Sequence, residues 1–352
     1  MTRAAPQSRI AQLPALTGLR GIGALWVFVH HWNIFQYRTG EGPHSLAIGY
    51  LGVDMFFMLS GFIMANSRYD YFARVSPRTY RNFMVERILR LYPTNAAAMV
   101  LYVLALWAVP SVIAAAPTQE YAAGNFFASL LFLESWLLYP IGTWIAPGWS
   151  VSVEMAAYLA LPAVIWIIRQ LPGPRTAFAL SAVSLAAFVG ILIAHGEHDP
   201  NVTVHGGFLR VGCEFTAGAA MFAAWRSGAR IPGAPATLLI ALLLTGAAVI
   251  QVREGAFLAL PAFLLAIPVS ADPATTLARL LSGKGMMFAG RISYSLYLVH
   301  WPALVFWRHF GGLSRPLAIN LMFFAATIGL ATAVHYCFEA PSHKFARRFS
   351  RR

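Results

Sequence analysis

Ten apolar stretches long enough to span a bilayer follow one another along this chain. They fall near 16–35, 48–66, 91–110, 149–168, 176–194, 206–225, 235–252, 255–270, 288–307 and 317–338 of 352 residues. A helix rises 1.5 Å per residue, so about 20 apolar residues match the roughly 30 Å hydrocarbon core. Inside that core every backbone N–H and C=O must be paired within the protein, and repeated apolar segments of this length do so as helices. Only 11% of the residues are charged, against about 25% in soluble domains. The expected fold is all-α, a polytopic membrane helix bundle with about ten transmembrane helices.

Charge sets the topology. With the basic C-terminus (Lys344, Arg347, Arg348, Arg351, Arg352) in the cytoplasm, alternation also places the loops at 68–90, 169–175, 226–230 and 279–291 inside. All but Arg38, Arg210, Arg253, Arg308 and Arg315 of the 26 Lys and Arg then lie on the cytoplasmic side. That bias is the one membrane insertion favours, and it puts both termini in the cytoplasm. The count works if an eleventh apolar stretch, 124–140, does not cross but is re-entrant or interfacial. The helices at 235–252 and 255–270 read as lipid-facing filler. Three regions follow: a lead at 1–15 with no cleavable signal, a membrane domain at 16–341, and a basic tail at 342–352.

The net charge of +13 is spread over short loops rather than one soluble face, so no nucleic-acid partner is expected; the bilayer is. Cys213 and Cys337 lie in apolar segments and imply no disulfide framework. The loop HGEHDPNVTVH at 195–205 holds three His and two acids, but its spacing matches no standard ligand set, and no metal site is expected.

Polar groups inside the spans are costly and mark function by default. Arg20 and His31 stand eleven positions apart in LTGLRGIGALWVFVHHW. Eleven positions return a helix to nearly the same face, roughly 16 Å further on. His30 lies about 80° off that stripe, so His31 is preferred; packing against a neighbouring helix is the plainer reading. Asp54 and Ser60 interrupt LGVDMFFMLSGFIMA, where Gly52 and Gly61 permit close helix approach. A buried Asp needs an Arg or His on a neighbouring helix, as a structural pair or as support for catalysis. Arg87 and Arg90, at i, i+3 in VERILRLYPT, present two guanidiniums at the cytoplasmic mouth. They suit the phosphates of a nucleotide-bearing donor.

Ser150 and Glu154 share a face at i, i+4 behind the break at Pro147 and Gly148. Glu154 either orients an imidazole or hydroxyl or is an interfacial charge near the outer mouth. Arg210 and Glu214, also i, i+4, are expected to neutralise each other. Tyr297 and His300 share a face, with interfacial aromatic packing beside Trp301 and Pro302 as the plainer reading of His300. Glu339, ahead of Pro341, is expected to end its helix rather than to catalyse.

Taken in order, these elements resemble the acyltransferase-3 family of bacterial membrane acyltransferases, which includes O-antigen and exopolysaccharide O-acetyltransferases. The likeness runs from Leu16 to about Pro341. It comprises Arg20-x10-His31; GVDMFFMLSGF at 52–62; Arg87, Arg90, Tyr92 and Pro93; and Trp149, Ser150, Ser152 and Glu154. Arg210, Glu214, Phe215 and Gly218 follow, then ISYSLYLVHWP at 292–302 and Phe338, Glu339 and Pro341. Met155 stands where the family usually has a second Glu. The resemblance implies ten helices, an acyl-CoA co-substrate (by default acetyl-CoA) rather than a tightly bound cofactor, and the bacterial inner membrane. It further implies a hydroxyl acceptor on an envelope glycan or lipid-linked sugar, and the stand-alone type without an esterase-like domain.

The expected mechanism seats donor phosphates at Arg87 and Arg90, beside Tyr92. His31 serves as general base, Arg20 holds the donor or the oxyanion, and Asp54, Ser150 and Glu154 orient the His or the acceptor. A transient acyl-His31 is the variant. The rivals are a proton-coupled transporter, a scaffold of a polysaccharide assembly complex, and acylation of a small lipophilic acceptor such as a macrolide.

Overall fold

The computed structural model describes residues 13–37, 43–114, 122–136, 143–203, 206–250, 253–310 and 315–350. Each of the ten apolar stretches is helical there: α1 (Pro14–Gln36), α2 (Gly52–Arg68), α3 (Pro77–Ala108), α4 (Gly148–Arg169), α5 (Pro174–Ala194), α6 (Gly207–Arg226), α7 (Gly233–Val249), α8 (Ala259–Ala271), α9 (Lys284–His309) and α10 (Leu317–Val334). No strand occurs among the described residues. Six helical segments, built on α2, α3, α4, α5, α8 and α10, are long and apolar enough to cross a membrane by length and composition. Helices α1, α6 and α9 have 23, 20 and 26 residues. Their polar residues Arg210, Glu214 and His300 are turned into the bundle.

Two helix pairs set the frame, and glycine makes both. Gly61 of α2 lies on the Phe215 carbonyl of α6, and Gly218 of α6 lies on the Met58 carbonyl of α2. Likewise Gly290 of α9 lies on the Thr17 carbonyl of α1, while Gly21 faces the Gly290 backbone. A Cβ at these positions would collide with backbone, so the helices approach as closely as they do only because none is present. Helix α3 starts at a capping box, with the Ser76 hydroxyl accepting from the Thr79 N–H at 3.2 Å and Thr79 Oγ1 accepting from the Ser76 N–H at 2.9 Å.

The stretch at 124–140 does not cross in its described part. It holds a helix of eight residues (Ala123–Leu130), only about 12 Å long, and then turns at 131–136; residues 137–140 lie outside the described residues. The turn is fastened to α4. Ser152 Oγ donates to the Phe132 carbonyl at 2.7 Å, and Trp136 Nε1 donates to the Ser152 carbonyl at 3.1 Å.

Two expectations are corrected. Helix α8 is not lipid-facing filler. Ala259, Ala262, Phe263 and Ile267 are buried, because its small residues let it pack against α1, α2, α6 and α7. Nor does Glu339 end its helix. From α10 the chain passes through a π turn (His335–Glu339) into a last helical run (Ala340–Ser350) lying against α3. The wider turn comes where Pro341 has no N–H to give, so the helix passes the proline instead of stopping.

Candidate active site

Helices α1, α2, α3, α4 and α9 and the last helical run enclose a cavity of about 120 Å³. Its walls include Arg20, Ser60, Arg87, Arg90, Ser150, Glu154, Tyr158, Tyr297, Glu339 and His343. The proline-broken start of α4 explains part of this convergence. Pro147 caps the helix and Gly148 opens it, so Ser150 and Glu154 fall one turn apart on one face.

The three arginines are not equivalent. Arg87 is buried and engaged: its Nη2 donates to Glu86 Oε1 at 2.8 Å, and its guanidinium lies 5.7 Å from the Tyr158 ring centroid. Glu86 is shared with Arg68, 2.5 Å from its second oxygen. Arg20 and Arg90 make no hydrogen bond or ion pair with any described residue. Those two are the free cations of the cavity wall among the described residues, and each keeps its forked donors for an anion.

Glu154 is a wall group, not an outer-mouth charge. Its Oε1 accepts from Ser60 Oγ at 2.6 Å and from the Tyr158 hydroxyl at 2.7 Å. The Ser150 and Tyr297 hydroxyls are 2.7 Å apart, and each also reaches the Pro147 carbonyl, at 3.0 and 3.1 Å. Glu339 accepts at Oε2 from Ser295 at 2.6 Å and from His335 Nδ1 at 3.0 Å, while His343 Nε2 lies 3.9 Å from its other oxygen.

His31 is half-buried and is not a residue of the cavity wall. Its Nδ1 is 3.0 Å from Nε2 of His300, the two ring planes are 27° apart with centroids at 5.1 Å, and Trp301 stands edge-on at 5.3 Å. Tyr297 joins the two regions, since it lines the cavity and its ring centroid is 5.9 Å from that of His300. His30 turns the other way, its Nδ1 3.3 Å from the Leu46 carbonyl.

Asp54 lies off the cavity. Arg210 Nε donates to its Oδ1 at 2.9 Å and Nη2 to its Oδ2 at 2.5 Å, and both residues are 0% exposed. The expected Arg210–Glu214 neutralisation is therefore corrected. A facing helix can offer both carboxylate oxygens to the guanidinium fork, and the α2–α6 glycine contacts bring Asp54 close enough to do it. Glu214 sits beside this pair, with its carboxyl group within hydrogen-bonding reach of Asp54. Tyr92 is part of a hydrophobic cluster rather than of the cavity wall.

Sequence reasoning passed over His343. It read Glu339 as a helix end and His300 as interfacial packing, although both lie in elements that carry the family resemblance. No cluster able to hold a metal occurs among the described residues. In the loop after α5, His198 pairs with Glu254 at 2.8 Å, while His205 lies outside the described residues.

A bundle of this kind gathers arginines, hydroxyls and paired imidazoles within the membrane-spanning helices, groups able to bind an anion and move a proton. The family model described as an acyltransferase domain matches residues 13–338, and the chain belongs to the acyltransferase-3 family of membrane acyltransferases. It is 27% identical to Acyltransferase MdmB of Streptomyces mycarofaciens over 320 residues, covering 83% of this chain and 79% of that protein. It is 27% identical to O-acetyltransferase OatA of Staphylococcus aureus over 319 residues, 84% of this chain and 51% of that one. The putative peptidoglycan O-acetyltransferase YrhL of Bacillus subtilis is 24% identical over 373 residues, 97% of this chain and 56% of its own length. The chain thus spans about half the length of these two O-acetyltransferases. No solved structure matches it.

Proposed function

We propose that the protein moves an acyl group, by default acetyl, from cytoplasmic acyl-CoA to a hydroxyl of an envelope or exopolysaccharide sugar in the bacterial inner membrane. One observation carries this reading: a cavity with two unpaired arginines on its wall reaches Tyr297, which packs against the His31–His300 pair. Donor phosphates would meet Arg20 and Arg90, with Arg87 as a fixed positive neighbour held by Glu86. The slender thioester arm would run between α2, α4 and α9 toward Ser150 and Tyr297.

At that end the acceptor oxygen attacks the thioester carbonyl. His31 removes the hydroxyl proton, the C–S bond breaks, and the proton passes to the departing CoA thiolate. General-base help of this kind is typically worth about 10²–10⁴-fold. Donors held ready for the oxyanion in a dry site contribute further; with Ser150 donating to the Pro147 carbonyl, the Tyr297 hydroxyl can turn its hydrogen to the oxyanion. The names of OatA and YrhL support acetyl transfer to oxygen, and the latter's name points to a glycan as acceptor.

The test is acceptor-dependent release of CoA by the full chain in detergent, given acetyl-CoA and a crude envelope glycan fraction. Wild-type release that disappears in His31→Ala is expected. Release undiminished in His31→Ala would overturn the role of His31. Absence of both wild-type release and thermal stabilisation by acetyl-CoA would overturn the donor.

A further inference from the structure

The hydrogen bonds around His300 settle which nitrogen of His31 carries a proton. His300 Nδ1 is 3.0 Å from the Leu296 carbonyl, one turn back on α9. A carbonyl only accepts, so His300 Nδ1 bears the hydrogen. A neutral His300 then presents a lone pair at Nε2. That atom lies 3.0 Å from His31 Nδ1, which must donate to it. His31 therefore holds its proton at Nδ1 and keeps its lone pair at Nε2. Among the described residues no side chain hydrogen-bonds to that Nε2; the Val27 carbonyl, one turn back on α1, is the other acceptor within reach of the His31 ring.

Packing holds the arrangement. His300 is fully buried, with the rings of Phe28 and Tyr297 at 5.7 and 5.9 Å. His31 is flanked by the rings of His30, His300 and Trp301. Among the described residues no carboxylate is hydrogen-bonded to either imidazole. The part an acidic side chain plays in many acid–base sites falls here to a second, neutral histidine anchored on a backbone carbonyl.

We propose that His300 is the positioning residue of the reaction: it selects the Nδ1–H tautomer of His31, so that Nε2 is the base that takes the acceptor's proton. The proposal rests on the acyl-transfer reading above. In its cycle the acceptor proton goes to His31 Nε2 and from there to the CoA thiolate. His300 gives up no proton and forms no bond to substrate. Its Nε2 lone pair stabilises the positive charge that His31 acquires while doubly protonated.

Three replacements of His300, His31→Ala and a double variant test it in the CoA-release assay. His300→Phe keeps an aromatic ring against Phe28 and Tyr297 but cannot accept from His31. It should lower kcat about 100-fold, within the range general-base assistance spans, with KM for acetyl-CoA within twofold of wild type. In His300→Gln the side-chain carbonyl can accept from His31 while the amide donates to Leu296, so kcat should recover at least tenfold over His300→Phe. In a His31→Ala background, His300→Phe should change residual activity less than twofold, because residues acting as one unit are not additive. If His300→Phe lacks a cooperative melting transition, His300→Gln is compared with His300→Asn, whose amide is one carbon too short; only the glutamine should work.

An unchanged kcat in His300→Phe, equal losses in Phe and Gln, or a loss seen only in KM would overturn the proposal. Indifference of release to His31→Ala would instead overturn the reading on which it rests. Loss in His31→Ala but not in His300→Phe would overturn the role of His300 alone.

Discussion

Two groups of charges sit inside this bundle, and they are built on opposite plans. Asp54 and Arg210 close on each other through two hydrogen bonds, fully buried and off the cavity. Arg20 and Arg90, with Glu154 nearby, line a cavity and keep unused hydrogen-bonding capacity. Both groups are ionisable residues in apolar helices, and from sequence both invite a functional reading. The difference lies in what each has left over. A satisfied pair holds α2 to α6, whereas an unsatisfied pair of cations needs a ligand to complete it.

The largest expected effect tests the closed pair. Arg210→Ala leaves Asp54 and Glu214 together in the core without a cation. Breaking a buried pair from one side typically costs about 3–5 kcal/mol. A large drop in melting temperature and membrane yield should follow, and Arg210→Lys should recover only part of it, since an ammonium cannot make the two-point contact. Glu154→Gln, by contrast, should leave the melting temperature nearly unchanged and lower turnover. If the two variants behaved alike in stability, the division between holding and reacting charges would fail.

The next effect tests the open group. Arg90→Ala and Arg20→Ala should each raise KM for acetyl-CoA by about 10–100-fold, the equivalent of about 1.5–3 kcal/mol for a hydrogen bond to a charged group. Melting without ligand should barely move, because neither guanidinium is used by a described residue. The measurement is the thermal shift on adding acetyl-CoA, which should shrink in both variants. A full shift in Arg90→Ala would remove it from the donor site.

Nearly all of the architecture was legible beforehand, because apolar stretch length and charge bias report directly on helices in a bilayer. Each stretch became a helix, and 124–140 proved too short to cross in its described part. The pairings were another matter. Arg210 has Glu214 one turn away on its own helix, and only the α2–α6 contact reveals that Asp54 is the better partner. His300 looked like one more aromatic near Trp301 until α9 was seen packed on α1. Glu339 was misjudged by a local rule, that proline stops helices, which a π turn overrode. Periodicity reports a residue's face on its own helix; it is silent about which face lies opposite.

The glycine contacts give a moderate effect. In Gly218→Val the new Cβ would fall on the Met58 carbonyl, and the helices must part. Overpacking of this kind typically costs about 1–3 kcal/mol. Turnover should fall as well, because Asp54, Ser60 and the cavity wall at Val53 and Phe57 all ride on α2. Gly212→Ala, on the same helix with open space at its Cβ, is the control and should change neither stability nor turnover.

The smallest effect sets two serines against each other. Ser60 donates to Glu154 Oε1 at 2.6 Å on the cavity wall, and Ser181 donates to the Ala217 carbonyl at 2.7 Å between α5 and α6. Each replacement by alanine deletes one hydroxyl, worth about 0.5–1.5 kcal/mol. Ser181→Ala should spend that loss on stability, since the Ala217 carbonyl is left in a dry interface, and turnover should be untouched. In Ser60→Ala, Glu154 retains the Tyr158 hydroxyl, so the melting temperature should shift less. The carboxylate is then held at one point instead of two, and kcat should fall about two- to fivefold, a cost near 0.5–1 kcal/mol at the transition state. Side-by-side melting curves and CoA-release rates separate the cases: a turnover defect in Ser181→Ala, or none in Ser60→Ala, would mean that the cavity wall is no more committed to chemistry than the rest of the bundle.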